Sequence, residues 1–214
     1  MKKIIFPLII FMSTVIFSQK KIVEKIEIEV DEINIDASGL DNLIIENSNS
    51  GFLEVYLQAE SYDSQYVDLT ENKSSVDIKF NFEGTETREI IFRKFITKRL
   101  QRADAVVKIP VEKKVNIFGE NVFVEAKSVK NDLSVYIENG IVKLNKIQSN
   151  ILLKLYSGNV YASINNSSVD VTSNNGKIKV DTTLYQKKYQ KEILDNNNKL
   201  NVVSIRANIY LTTK

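Results

Sequence analysis

The sequence predicts an all-β chain folded as a parallel β-solenoid, with about 18-residue coils and two strands in each coil. Gly140, Gly158 and Gly176 recur at a constant interval, since 158 − 140 = 18 and 176 − 158 = 18. Apolar residues recur at fixed offsets from these glycines, for example from Val142 to Ile178 two positions after each. A short fixed period with apolar columns is typical of a stacked repeat. Apolar and polar residues also alternate with period two through most of the chain, which indicates half-buried strands.

Each repeat contains two apolar stripes separated by polar corners. In the unit that begins at Gly140, one stripe contains Val142 and Leu144, and the other contains Ile151 and Leu153. At about 3.3 Å per residue, two strands and two corners account for the length of a unit. Successive coils at a spacing of about 4.8 Å would place each column in one interior slot. Glycine at the corner permits a positive φ, which the neighbouring asparagines also tolerate.

Other folds with related patterns fit the sequence less well. A left-handed hexapeptide helix needs an aliphatic residue at every sixth position, and Val142, Gln148 and Lys154 do not supply one. A calcium β-roll needs Gly-Gly-x-Gly-x-Asp runs, which the sequence lacks. An antiparallel sandwich with meander hairpins stays open as the alternative, although it does not require rows matched in columns.

Residues 1–18 have the order of a secretory signal peptide. Two lysines precede an apolar run from Ile4 to Phe17, and the small residue Ser18 follows. This run is shorter than the roughly 20 residues that span a bilayer, and a retained anchor helix is the alternative. We therefore expect an exported protein, in the periplasm, on the outer-membrane surface or outside the cell, with one domain at 19–214.

Composition excludes several classes of function. Without the two leader lysines, 29 − 2 = 27 basic residues balance 27 acidic residues, so a nucleic-acid partner is not expected. The chain has no Cys and no His, which removes disulfides, thiolate chemistry, the Ser-His-Asp triad and imidazole ligands. We expect no enzyme activity, no cofactor and no metal site.

The N-terminal part of the domain resembles the later units. Residues 25–36 alternate between apolar and polar side chains, with one slip at Asp31-Glu32. A polar Asn/Ser/Gly corner at 47–51 follows, and residues 53–59 alternate again. The order of strand, corner and strand is that of a coil.

Residues 60–105 interrupt the pattern, and we predict an inserted, hairpin-like region or irregular strands. Strand-like pieces occur at 67–69 and 76–82, whereas 88–104 fits either a strand or a helical face. Pro110 lacks an N–H and should lie at a strand end or an edge.

Regular repeats are predicted for 106–183, followed by a polar excursion at 186–199. Residues 200–214 are predicted to form C-terminal strands, with an apolar alternation from Val203 through Ile205 to Leu211. We expect the chain to end there as a paired or capping strand.

Three corners place an Asn or Ser before glycine and alternating apolar residues after it. They are ENGIVKL, YSGNVYA and NNGKIKV, at 138–144, 156–162 and 174–180, and the approach AVVKIP at 105–110 is similar. With the signal peptide and the lack of His and Cys, these corners resemble the putative-adhesin domain family of exported bacterial β-solenoids. The resemblance covers 105–183 well and 33–59 loosely. It implies an envelope or surface location and no catalysis.

The strongest local departure from neutrality is a basic run interleaved with apolar residues, which can contact lipid phosphates or an anionic glycan. Its members are Arg88, Arg93, Lys94, Lys98, Arg99 and Arg102. The other interpretation is a solvated strand face whose charges discourage edge pairing.

Two further sets of side chains are candidate sites. Tyr136, Tyr156 and Tyr161 can stack on sugars if exposed, but cross-strand packing is the commoner role. Asp170 and Asp181 would form a glycosidase pair only if they faced each other across a cleft.

The sequence thus favours an exported, non-enzymatic module for adhesion or envelope scaffolding, with a protein or glycan partner. The alternative is contact with envelope lipid or an anionic glycan through 88–102. A polysaccharide-active enzyme is the third hypothesis.

Overall fold

The computed structural model describes residues 21–60, 64–83, 102–194 and 198–213. In these ranges the chain is all-β, with seventeen strands joined by hydrogen bonds into one mixed sheet and no helix. The predicted all-β class is therefore confirmed. Within the same ranges there is no helix of the length and apolarity needed to cross a membrane.

The strands, in chain order, are β1 Lys21–Ile26, β2 Glu32–Asp36, β3 Asn42–Asn47, β4 Leu53–Glu60, β5 Ser64–Glu71, β6 Ser75–Glu83, β7 Arg102–Ile109, β8 Lys114–Ala126, β9 Leu133–Leu144, β10 Ile151–Leu155, β11 Asn159–Ser163, β12 Ser168–Ser173, β13 Ile178–Val180, β14 Thr183–Tyr185, β15 Lys188–Lys191, β16 Lys199–Ser204 and β17 Asn208–Thr212. Residues 25–36, predicted as one alternating segment, contain the end of β1 and the whole of β2. The excursion at 186–199 contains β15. Pro110 follows β7 directly, as expected.

Strand pairing divides the sheet into two series, which we call ladders A and B. Ladder A contains, in spatial order, β5, β6, β2, the first half of β8, the first half of β9, β10, β16, β12 and β15. Ladder B contains β1, β4, β7, β3, the second halves of β8 and β9, β11, β17, β13 and β14. The central strands of both ladders are parallel. Towards the ends the pairing is antiparallel, between β5 and β6 and between β12 and β15 in ladder A, and between β13 and β14, β1 and β4, and β4 and β7 in ladder B.

Register in the middle of both ladders follows the repeat interval of the sequence. In ladder B, Val142 pairs with Val124 on one side and with Val160 on the other. In ladder A, Leu133 pairs with Val115 and with Ile151 in the same way. Residues of one sequence column therefore lie side by side on neighbouring strands.

The expected direct stacking of the units at Gly158 and Gly176 is wrong. Ile209 of β17 pairs with Val160 on one side and Ile178 on the other, so a C-terminal strand lies between these two units. In ladder A, β16 lies between β10 and β12 in the same manner. We call β16 and β17 together the C-terminal rung. It is paired, as predicted, but on both sides and inside the stack.

Two early strands of the domain occupy a similar interior position towards the other end. β2 lies between β6 and β8, and β3 lies between β7 and β8. β5 and β6 form an antiparallel hairpin within the predicted insertion. β6 and β7, which come later in the chain, thus lie nearer the edges of their ladders than β2 and β3. β1 pairs with β4 at the edge of ladder B.

The core is built from the inward columns of both ladders. Buried and half-exposed residues alternate along the strands, and the buried apolar side chains of the two ladders belong to one cluster. The predicted alternation at 203–211 is half right, because Ala207 and Ile209 are buried but Val203 and Ile205 are 47% and 43% exposed. Val202 is buried instead. The corner between β16 and β17 shifts the phase of the alternation by one residue.

One corner contains a buried asparagine that joins three segments. Asn131 is 1% exposed, and its Nδ2 donates to the carbonyl oxygens of Pro110 at 2.7 Å and Lys113 at 2.8 Å. Its Oδ1 accepts a hydrogen bond of 2.6 Å from Asn47 Nδ2. Because unpaired polar groups are costly in a core, this amide fixes how the corners stack.

The repeated glycines lie where the backbone of one rung, meaning one pair of strands in the two ladders with the corner between them, contacts the backbone of the next rung. A Cβ on Gly158 would stand 2.0 Å from the carbonyl oxygen of Gly140, and a Cβ on Gly140 would stand 2.1 Å from that of Val122. A Cβ on Gly176 would stand 1.9 Å from the carbonyl oxygen of Ala207. Close backbone approach therefore explains the glycine interval. It also shows that Ala207 of the C-terminal segment occupies the place next to Gly176.

Candidate binding surface

The outward face of ladder A has three large side chains on consecutive strands, which we call the aromatic strip. Phe118 pairs in register with Tyr136, and Tyr136 with Lys154. The rings of Phe118 and Tyr136 are stacked, with centroids 5.3 Å apart and an interplanar angle of 10°. Lys154 Nζ lies 5.5 Å from the Tyr136 ring centroid, and Phe118 is 45% exposed. The strip is therefore a flat, partly apolar surface open to solvent.

A column of polar side chains, which we call the amide column, lies two residues before the strip on the same face. Asp77, Asn34, Asn116 and Ser134 occupy successive strands in register. Asn34 Nδ2 donates to Asp77 Oδ1 at 2.9 Å, and Asn116 Nδ2 donates to Asn34 Oδ1 at 3.0 Å. These bonds hold the amides in fixed orientations beside the aromatic rings.

Two shallow depressions of about 520 and 440 Å³ lie on this face and share Glu32 and Asn116. The larger is lined in part by Asn34, Asp36, Asp77 and Phe118, and the smaller by Ser134, Leu152 and Asn201. An apolar ring face next to amides and hydroxyls can pack on one side of a sugar and hydrogen-bond its hydroxyl groups. The arrangement provides apolar contact and oriented hydrogen-bonding groups, which are the elements of ligand recognition.

Ladder B has its own exposed tyrosines. Tyr161 and Tyr210 stack with centroids 5.1 Å apart at an interplanar angle of 11°, and Tyr161 is 42% exposed. Tyr156, at a corner, is 49% exposed, with the Arg206 guanidinium 5.6 Å from its ring centroid. Cross-strand stacking, the commoner role expected for these tyrosines, accounts for Tyr136 and Tyr161.

The outward face of ladder B near β4 contains charges that are satisfied internally. Ser50 Oγ donates to Glu54 Oε1 at 2.6 Å, and Tyr56 Oη donates to Glu54 Oε2 at 2.7 Å. Lys25 Nζ lies 3.4 Å from Glu54 Oε1. The hydrogen bonds from Ser50 and Tyr56, with the nearby Lys25, lower the pKa of Glu54 to about 2. The bond to Glu54 in turn raises the pKa of Tyr56.

Two more ion pairs continue this pattern on ladder B. Lys127 Nζ lies 2.7 Å from Glu46 Oε1, and Lys143 Nζ lies 2.9 Å from Glu125 Oε1. The contact with Lys143 lowers the pKa of Glu125, and the contact with Glu46 raises the pKa of Lys127. These charges are neutralised within the sheet, whereas Phe118 of the aromatic strip leaves 45% of an apolar side chain exposed beside polar groups, and we take the strip as the candidate surface.

Of the six predicted basic site residues, the described ranges include Arg102 alone. Arg88, Arg93, Lys94, Lys98 and Arg99 lie outside the described residues. Arg102 is at the start of β7, where its Nε lies 3.3 Å from Asp104 Oδ2. An anionic-ligand site in this segment stays a prediction.

The structure does not bring Asp170 and Asp181 together as a facing pair. Asp170 is on β12 of ladder A, where it accepts a bond of 3.0 Å from Gln190 Nε2. Asp181 follows β13 of ladder B and accepts bonds from the N–H and hydroxyl of Thr213 at 3.0 and 2.6 Å. Across the described ranges, no group of three or more Asp or Glu side chains is placed to hold a metal ion.

Sequence reasoning named Tyr136 but missed its stacking partner. Phe118 stands one repeat interval before Tyr136, so the period of the sequence places the two rings next to each other. Lys154 stands one interval after Tyr136. The signal was therefore present in the outward columns, whereas the apolar columns predict inward-facing residues only.

The fold is shared with a solved structure. A crystal structure of a putative cell adhesion protein from Clostridium sporogenes matches with a TM-score of 0.62 and 11% identity, covering 91% of this chain and 99% of that one. The match to a putative adhesin from Parabacteroides distasonis covers 91% of this chain and 98% of that one at 11% identity, with a TM-score of only 0.27. No family model and no curated protein matches the sequence. The resemblance to the putative-adhesin family is thus confirmed at the level of the fold.

Proposed function

We propose that this chain is an exported, non-enzymatic binding module of the adhesin type that recognises a glycan through the aromatic strip. The observation that carries the proposal is the stack of the exposed Phe118 on the half-buried Tyr136, beside amides held in place by cross-strand hydrogen bonds. Stacked rings present a rigid apolar surface at small entropic cost. The likeness to a putative cell adhesion protein supports an exported or surface role.

The proposal includes the architecture. Ladders A and B are taken as the two sheets of a parallel β-solenoid, in which each 18-residue coil contributes one strand to each sheet. β8 and β9 support this, because each contributes its first half to ladder A and its second half to ladder B. Such a stack provides a rigid, repetitive face for a ligand.

The test is binding to an array of immobilised glycans with variants of matched size on the two faces. Phe118→Ser combined with Tyr136→Ser removes the strip on ladder A. Tyr161→Ser combined with Tyr210→Ser removes the equivalent stack on ladder B and serves as the control. Binding should fall at least tenfold in the first variant and stay within twofold in the second, with both retaining their β-sheet circular dichroism. Equal loss in both variants, or no binding by the wild type, would refute glycan recognition by the strip.

The alternative of contact with envelope lipid or an anionic glycan through 88–102 remains a separate proposal. Its one described member, Arg102, already contacts an acidic neighbour. Heparin and anionic-vesicle pull-down should distinguish it, using the wild type and a variant with Arg93, Lys94, Lys98 and Arg99 changed to Ser. Unchanged binding would remove this alternative.

A further inference from the structure

The C-terminal rung separates two rungs that fit each other. Leu200 of β16 pairs with Ile151 on one side and with Val169 on the other. In ladder B, Ile209 likewise pairs with one residue of β11 and one of β13. The flanking residues are 169 − 151 = 18 positions apart, which is the interval of the sequence repeat. Without the C-terminal rung, the flanking rungs would therefore meet in register.

The corner beside Gly176 is compatible with either neighbour. A Cβ on Gly176 would stand 1.9 Å from the Ala207 carbonyl oxygen, and a Cβ on Gly158 would stand 2.0 Å from that of Gly140. The same close approach thus occurs where the neighbouring rung is one repeat interval away and where it is the C-terminal rung. Gly176 would allow β13 to approach β11 just as it approaches β17.

We propose that the C-terminal rung is a releasable insert, and that β12 and β13 then pair directly with β10 and β11 in the register of the repeat. The movement is one strand spacing, about 4.8 Å. Release breaks the backbone hydrogen bonds on both sides of the C-terminal rung. Direct pairing of β12 with β10 and of β13 with β11 then re-forms one set of these bonds in each sheet. An interior rung such as β9 has no such compensation, because it is joined to its neighbours by continuous chain. The packing with the C-terminal rung in place predominates, because release exposes the buried side chains of Leu200, Val202, Ile209 and Leu211. The released packing is a minor state, which a substitution within the rung can populate.

Cysteine pairs can report the two packings, because the chain has no cysteine of its own. Tyr161 and Lys179 both pair with Tyr210, so they are two strand spacings apart, about 9.6 Å. That distance exceeds the roughly 7 Å limit between Cα atoms for a disulfide, whereas direct pairing at about 4.8 Å is within it. Tyr161→Cys with Lys179→Cys should therefore cross-link only after release.

Release can be triggered in the full chain by Ile209→Asp, which places a carboxylate at a position with 0% exposure. The matched control is Val142→Asp, also at 0% exposure, in a rung that cannot leave. In the presence of Ile209→Asp, the 161–179 disulfide should form at least tenfold faster than without it. Limited proteolysis should remove the segment after Asn198 and leave the rest resistant. The Val142→Asp control should lose its β-sheet circular dichroism.

Two results would overturn the proposal. In one, Ile209→Asp unfolds the whole domain as Val142→Asp does, with loss of circular dichroism and proteolysis throughout. In the other, the Ile209→Asp variant stays folded but the 161–179 disulfide forms no faster than in the parent. A slow 161–179 cross-link in the parent, accelerated by mild urea while circular dichroism is retained, would support release independently of the Asp variant.

Discussion

Substituting alanine for Gly158 tests the contact between rungs more directly than any core substitution. Gly158 has a φ of +119°, and a Cβ there would lie 2.0 Å from the Gly140 carbonyl oxygen. Real Cβ atoms essentially never approach within 3.0 Å, so one rung must move by about 1 Å. Since the strands are spaced at about 4.8 Å, such a shift lengthens the backbone hydrogen bonds on one side of the corner.

The expected loss combines two effects. A non-glycine residue in a disfavoured region of φ costs about 1–3 kcal/mol. Forcing an extra methyl into a packed contact typically costs a further 1–3 kcal/mol or so. Gly158→Ala should therefore lower the free energy of unfolding by about 2–6 kcal/mol, out of a total of about 5–15 kcal/mol. Gly51→Ala is the matched control, because Gly51 has a φ of +75° but no atom within 4 Å of the added Cβ.

Urea denaturation followed by circular dichroism would measure both variants. At an m-value of about 2 kcal/mol/M, Gly158→Ala should lower the midpoint by about 1–3 M. Gly51→Ala should lower it by about 0.5–1 M, since only the conformational cost of about 1–2 kcal/mol applies. Equal midpoints for the two variants would show that the rungs do not meet at Gly158, and the assigned register between β9 and β11 would have to be abandoned.

Three further outcomes are expected. Val160→Asp should lower the free energy of unfolding by several kcal/mol, because Val160 is 0% exposed. Lys143→Ser breaks only a half-exposed ion pair and should cost less than about 1 kcal/mol. Equal urea midpoints for the two variants would show that the inward and outward faces are wrongly assigned. Asn131→Ala leaves one buried and one partly buried carbonyl oxygen without their donor and should cost about 2–4 kcal/mol by the same assay. An unchanged midpoint would show that this amide does not stabilise the corner. The pKa of Glu54 is held at about 2, below its ordinary 4.5, so its stabilising contribution is present above about pH 4.5 and lost as the pH falls toward 2. The stability difference between the wild type and Glu54→Gln should shrink over that interval, and a constant difference would contradict the bonding described.

The inward columns were predictable because alternation and the repeat interval are local properties of the sequence. Val124, Val142 and Val160 occupy adjacent strands, as their spacing indicates. The glycine interval was also informative, since the steric reason for glycine recurs with every coil. The order of the rungs was not predictable in the same way, because a constant period gives no sign that a distant segment lies between two units.

A weaker signal for that distant segment is present in the sequence. Asn208, Ile209 and Tyr210 match the Asn-Val-Tyr of residues 159–161, and the two tyrosines stack in the structure. The separation is 208 − 159 = 49 positions, which is not a multiple of 18 and so lies outside the repeat. The outward tyrosines therefore indicate that residues 208–210 pair with residues 159–161. The inward columns and the fixed period do not indicate this pairing.

The C-terminal end of the domain's chain does not form an end of the stack. β16 has β12 and β15 outside it in ladder A, and β17 has β13 and β14 outside it in ladder B. The strands that end the ladders are antiparallel, so each parallel stack is closed by a change of strand direction. This order makes β16 and β17 pair with partners far away in sequence, which is slow because loop-closure entropy is paid before the contacts form. β2 pairs with β8 across a still longer separation, since 114 − 32 = 82. Both interior rungs with distant partners should consequently join late, whereas the central rungs, joined in sequence by short corners, should form early.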